Sequence, residues 1–197
     1  MSTFRLQLPT DPRWVTLVES NIEEILTDHA WCEQKAATNA ITIITLNSEF
    51  EDLVTDLLKL AQEEIEHFER VHEMIKKRGF KLGRERKDHY VGELSKYMRA
   101  NADGSREKGF VERMLFSAMI EARSCERFKV LSQNIQDPEL STFYRELMES
   151  EAGHYTTFIS YARKYGGTVD VEKRWREWLD HEATIIAQYG KKETIHG

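Results

Sequence analysis

Apolar residues recur at three- and four-residue steps along most of this chain, the period of an amphipathic helix, and no stretch shows a convincing strand pattern. Asp11-Pro12, a capping residue followed by a proline suited to the first turn, opens a short helix through Trp14, Leu17 and Val18. A long helix is predicted over about residues 21–46, with Leu26, Ala30, Glu33, Ala37, Ala40 and Ile44 on one stripe. Ser48 to Glu51 reads as a capping box that starts the next helix, about 49–78. Its stripe is Leu53, Leu57, Leu60, Glu64, His67, Val71 and Met74. Phe80 to Ser105 interrupts the pattern with a basic run, a short helical piece near Leu94 to Ala100, and a turn at Asn101 to Ser105.

A third long helix, about 106–134, carries Met114, Ala118, Glu121, Cys125 and Phe128 on one face. Asp137-Pro138 opens a fourth, about 138–165, with Leu140, Tyr144, Leu147, Glu151, His154, Phe158 and Tyr161, stopping at Gly166-Gly167. A last amphipathic helix over about 170–189 holds Trp175, Trp178, Leu179 and Ile186. The expected architecture is all-α: one domain spanning residues 1–197, a four-helix bundle with a long crossover and extra terminal helices.

Six polar residues occupy positions where these stripes call for Leu or Val. Glu64 and His67 form a Glu-x-x-His, repeated at Glu151 and His154, and residues three apart share a helix face. Each copy is preceded by a glutamate on the previous long helix, Glu33 lying 31 residues before Glu64 and Glu121 lying 30 before Glu151. Buried carboxylates cost several kcal/mol unless a cation or protons neutralise them. One Glu from each of two helices plus Glu-x-x-His from each of two others is the ligand set of ferritin-like di-iron and di-manganese carboxylate bundles. Four carboxylates and two imidazoles suit iron or manganese better than structural zinc, and two of the glutamates would bridge the ions.

Composition narrows this reading further. The formal charge of −6 would fall to about −2 with two divalent ions in place, so it argues only weakly against a nucleic-acid partner. Locally the charge reverses: Lys76, Lys77, Arg78, Lys81, Arg84, Arg86 and Lys87 face only Glu85 and Asp88, a net of +5. That run is the best candidate for phosphate contacts. A smaller basic patch lies at Lys173, Arg174 and Arg176. Cys32 and Cys125 fall on different helices, make no disulfide framework, and suit small core positions near the ligands. His29, one turn before Glu33, suits a supporting role; Glu126, about 140° around the helix from Glu121, reads as a surface charge, as do His72, His89, His181 and His196. Apolar segments are too short to span a bilayer and no signal peptide is evident, so a cytoplasmic protein is expected. Trp14, Trp31, Trp175 and Trp178 suit core or interface alike, which leaves oligomeric state open.

Three segments are more specific than the paired Glu-x-x-His. Asp28-His-Ala-Trp-Cys-Glu33-Gln-Lys-Ala-Ala37, Glu63-Glu64-Ile-Glu-His67-Phe and Ile120-Glu121-Ala-Arg-Ser-Cys-Glu-Arg-Phe128 resemble the tRNA 2-methylthio-isopentenyladenosine hydroxylase family over nearly the whole chain. The resemblance implies a non-haem di-iron monooxygenase, with Glu33, Glu64, His67, Glu121, Glu151 and His154 as ligands of two iron ions. It implies dioxygen as co-substrate, an external electron donor such as a reductase, and hydroxylation of the prenyl group on the adenosine beside the tRNA anticodon. It also favours the Lys76 to Lys87 run as a tRNA contact, and an apolar pocket with stacking aromatics, for which Phe68, Phe128 and Tyr155 are candidates. Three other functions fit parts of the pattern: an iron-handling or peroxide-consuming ferritin-like protein, a di-iron hydroxylase or deformylating enzyme acting on a lipid-like molecule, and a metal-free interaction bundle.

Overall fold

The computed structural model describes residues 3–189 and 195; His196 lies outside the described residues. Among the described residues there are seven α-helices and no strand, preceded by a short 3-10 turn, Thr3–Arg5. They are α1 (Arg13–Ser20), α2 (Ile22–Leu46), α3 (Glu51–Lys77), α4 (His89–Asn101), α5 (Arg106–Asn134), α6 (Pro138–Tyr165) and α7 (Val171–Tyr189). By contact the described residues divide into two compact units, one on residues 20–87 together with Ile195, the other on residues 3–19 and 88–189.

The first unit is the α2–α3 hairpin. Asn47 makes its turn: the backbone N–H donates to the Ile44 carbonyl at 3.1 Å and the side-chain amide to the Ile43 carbonyl at 2.9 Å, satisfying orphan acceptors at the end of α2. Phe50 N–H then donates to the Asn47 carbonyl at 3.1 Å, so residues 48–50 belong to the turn. The expected capping box at Ser48 is therefore not made; α3 begins at Glu51, behind Phe50, without a side-chain cap. Glu51 and Asp52 in its first turn complement the helix dipole instead. Every predicted stripe position of α3 is buried, and Glu63, Glu66, Glu69 and Glu73 face solvent. In α2 the stripe ends on Ile43 rather than Ile44. Ile41, Leu58 and Ile65 stay exposed and line an open groove with Ala37 and Ala61.

The second unit is the α5–α6 hairpin with α4 and α7 packed on α5, and with α1 meeting α5 where Trp14 lies under Arg127. Asp137 caps α6 as predicted, accepting from the N–H groups of Glu139 at 2.9 Å and Leu140 at 3.1 Å. α6 ends at Gly166, where a Cβ would strike the Ala162 carbonyl, and Gly167 turns the chain with φ of +59°. Asp88 caps α4 through Val91 N–H at 2.9 Å, so this helix begins five residues before the predicted Leu94. α5 is buried on nearly every face between Phe110 and Leu131. This all-round burial exceeds the single stripe predicted for α5, because short helices cover its outer side.

Candidate metal centre

Each unit holds one half of the predicted ligand set. In the α2–α3 unit, Glu33, Glu64 and His67 are all buried, with one ligand atom from each within 4.8 Å of the others. In the α5–α6 unit, Glu121, Glu151 and His154 are buried and meet the same limit. The i,i+3 geometry repeats closely: His67 Nδ1 lies 3.3 Å from Glu64 Oε2, and His154 Nδ1 lies 3.4 Å from Glu151 Oε2. Helix spacing explains the pairs, since residues three apart stack on one face. Hairpin packing brings in the third carboxylate, from α2 in one unit and from α5 in the other.

The donor sets fit a hard divalent ion. Donors around one ion at about 2.0–2.2 Å lie on the order of 3–4 Å from one another, as the Glu–His pair of each triad does, and the third carboxylate lies within 4.8 Å. Two carboxylates and one imidazole per triad match iron or manganese. Behind Glu33, fully buried His29 places Nε2 at 2.6 Å from Glu33 Oε1, one turn earlier on α2. Hydrogen bonds of this kind orient ligating carboxylates, and this is the contact that the supporting role expected for His29 requires.

Comparison with known proteins places this geometry in a family. Residues 2–197 match the profile described as tRNA-(MS[2]IO[6]A)-hydroxylase (MiaE). The chain belongs to the MiaE family. A Pseudomonas putida relative, tRNA 2-(methylsulfanyl)-N(6)-isopentenyladenosine(37) hydroxylase, is 35% identical over 85% of this chain and 80% of its own length. A Salmonella typhimurium relative of the same name is 24% identical over 97% of this chain and 87% of its own length. A solved structure, "Protein 43 with aldehyde deformylating oxygenase activity from Synechococcus", has a TM-score of 0.88 and 29% identity, covering 98% of this chain and 95% of that one. The fold of this MiaE-family chain is thus all-α and ferritin-like.

Other predicted residues land differently. Glu126 is not a surface charge: it is buried, accepting from Thr10 N–H at 2.9 Å, Thr10 Oγ1 at 2.6 Å and Arg123 at 2.9 Å. Arg123 also binds Glu182 Oε1 through Nε at 2.9 Å and Nη2 at 2.6 Å, and Tyr90 donates to the same oxygen at 3.1 Å. Burial pushes the Glu182 carboxyl upward against the pull of Arg123, and drives Arg127, stacked 4.3 Å over Trp14, down to about 10. Sequence reasoning missed this network because its partners come from the N-terminal segment, α4 and α7. Cys125 is buried, its thiol pushed up to about 12 by burial and donating to the Met148 carbonyl at 3.3 Å; Cys32 is half-buried.

Arg174 is not part of an open patch. It bonds both Glu112 oxygens and Glu177, and lies 4.8 Å over the Tyr97 ring, while Lys173 and Arg176 are exposed. His89 is exposed and His72 half-buried; His181 stacks on Tyr97 with centroids 3.9 Å apart, and burial lowers its pKa. Phe128 is core, packed on Tyr144; Tyr155 rests against Phe4 and Trp175. Trp14, Trp175 and Trp178 are buried, and Trp31 is half-buried.

The predicted basic run occupies the end of α3 and the loop after it. Lys76, Lys77, Lys81, Arg84 and Lys87 are exposed, and Arg78 and Arg86 half-exposed. Lys76 pairs with Glu73 at 2.8 Å and Arg86 with Glu24 at 3.0 Å. Glu85, one of only two acids in the run, is neutralised by Lys35 at 2.9 Å. The surface keeps a positive excess. Among the described residues no helix is long and apolar enough to cross a membrane.

Proposed function

We propose that this chain is an oxygen-dependent di-iron monooxygenase that hydroxylates the isopentenyl group of 2-methylthio-isopentenyladenosine beside the anticodon of tRNA. The observation that carries this reading is the twice-repeated buried Glu, Glu, His triad in a MiaE-family chain. In it, Glu33, Glu64 and His67 together with Glu121, Glu151 and His154 supply the ligands of two iron ions. When bound, a pair of iron ions supplies the redox capacity to cleave dioxygen at the expense of electrons from a donor. One oxygen atom enters a prenyl carbon–hydrogen bond. The other leaves as water, with two electrons and two protons delivered through an external reductase.

The protein's own contribution is positional and electrostatic. Buried glutamates on four helices keep their charges where cations offset them, and the apolar residues flanking them exclude bulk water. His29 holds one oxygen of Glu33 and so orients its carboxylate. The Lys76 to Lys87 run takes phosphates of the anticodon arm, and an enzyme of this kind works in the cytoplasm. The structural relative with aldehyde deformylating activity keeps a second reading alive, oxidation of a lipid-like small molecule.

A single-turnover experiment separates the two. Protein loaded with ferrous iron and reduced is mixed with oxygen and prenyl-modified tRNA, and the nucleosides are weighed by mass spectrometry. A gain of one oxygen on the prenyl-adenosine, absent in Glu64→Ala, is the expected result. Two bound irons without nucleoside product would shift the function to a lipid-like substrate or to iron handling.

A further inference from the structure

Three rings run in a row along the α2–α3 unit. Trp31, two residues before Glu33, is half-buried, and its indole Nε1 donates to the Gly83 carbonyl of the basic loop at 3.0 Å. Its ring meets Phe68, the residue after His67, edge-on at 6.0 Å. Phe68 in turn lies near-parallel to His72, with centroids 6.3 Å apart and planes 25° apart. Phe68 and His72 are also half-buried, so none of the three residues is sealed in the core. One turn beyond His72 stands exposed Lys76, and the basic loop begins. The row therefore ends beside the strongest positive surface of the unit.

The loop beside this row is held in place. Gly83 N–H donates to Thr27 Oγ1 at 3.3 Å, Glu85 pairs with Lys35, and Arg86 pairs with Glu24. A Cβ on Gly83 would come within 3.1 Å of Thr27 Cγ2, so the backbone lies close against α2. These contacts bind the loop's acid and one of its arginines to the helix, while Lys81, Arg84 and Lys87 stay exposed. Aromatic faces next to a fixed positive edge are what unpaired nucleic acid needs: bases stack on the rings, and phosphates meet the cations.

We propose that Trp31, Phe68 and His72 form a stacking track for the unpaired bases of the anticodon loop, with Lys81, Arg84 and Lys87 beside it on the backbone phosphates. This inference rests on the tRNA reading above and specifies how that substrate is held. Stacking releases no counterions, whereas phosphate contacts do, and this separates the two roles. Trp31 has a second part, since its hydrogen bond to Gly83 couples the ring to the loop's position.

The test measures binding of a prenyl-modified anticodon stem-loop, and of a fully paired duplex of equal length, across a salt series. Phe68→Leu and His72→Ala are expected to weaken stem-loop binding about 5–100-fold. Their dependence on salt and their duplex binding should match those of the parent. Lys81→Glu with Arg84→Glu should instead flatten the salt dependence and weaken both RNAs. Iron content and helical circular dichroism are read on each variant. If Phe68→Leu loses iron, His72→Ala decides, because its ring is more than a turn past the nearest ligand. Parental stem-loop affinity in His72→Ala and Phe68→Leu overturns the track, as does an equal loss on the duplex. A parent protein that neither binds nor hydroxylates the stem-loop overturns the tRNA reading, and the track with it.

Discussion

His29 and Arg123 are both fully buried polar side chains, and they call for opposite experiments. His29 touches Glu33 at 2.6 Å, so His29→Leu should leave the helices intact but lower ferrous iron affinity about 10–100-fold, read by metal titration with circular dichroism as control. Arg123 serves two buried carboxylates, Glu126 and Glu182, and also donates to the Leu8 carbonyl at 3.0 Å. Arg123→Met takes the cation from both acids, which should cost about 3–5 kcal/mol, a drop on the order of 10 °C in Tm, without a direct effect on the triads. The six candidate ligands were legible in the sequence because a charge in an apolar stripe breaks a periodic pattern. Glu126 broke no pattern, and its burial comes from Thr10 and Arg123 rather than from its place on α5.

At the level of elements, the caps separate real start signals from apparent ones. Asp137 accepts two backbone N–H bonds, so Asp137→Ala should destabilise the protein by about 1 kcal/mol in urea unfolding. Ser48 sits inside the Asn47 turn and caps nothing in α3, so Ser48→Ala should change stability by less than about 0.5 kcal/mol. Both sites read as helix starts in sequence, Asp137 by the proline behind it and Ser48 by the glutamate three residues on. Turn geometry distinguishes them, since Asn47 has already closed the end of α2. The earlier start of α4 has a similar origin: Asp88 caps a helix whose first residues, His89 and Tyr90, carry no clear apolar period.

For the molecule as a whole, the sharpest question is whether the two triads act together. If six residues form one dinuclear centre, wild-type protein binds two irons per chain. Glu64→Ala, in one unit, and His154→Ala, in the other, should then each lose most bound metal and all turnover. Two independent single-ion sites would instead leave one iron in each variant. Metal analysis by plasma emission distinguishes these results directly. Removal of iron by a chelator should also lower Tm, because four carboxylates are left buried without their cations.

Helix order, the two hairpins, the repeated ligand spacing and the basic run were determined by the sequence itself, because each is a local or periodic feature that a single helix expresses in its own residues. Tertiary structure alone decided which charges outside the stripes go inside. Arg123 finds Glu182 across 59 residues, Arg174 finds Glu112 across 62, and Glu126 finds Thr10 across 116. No periodicity announces such pairs. A charged residue becomes tolerable in the core only when packing delivers its counterpart, and that delivery is a property of the folded chain.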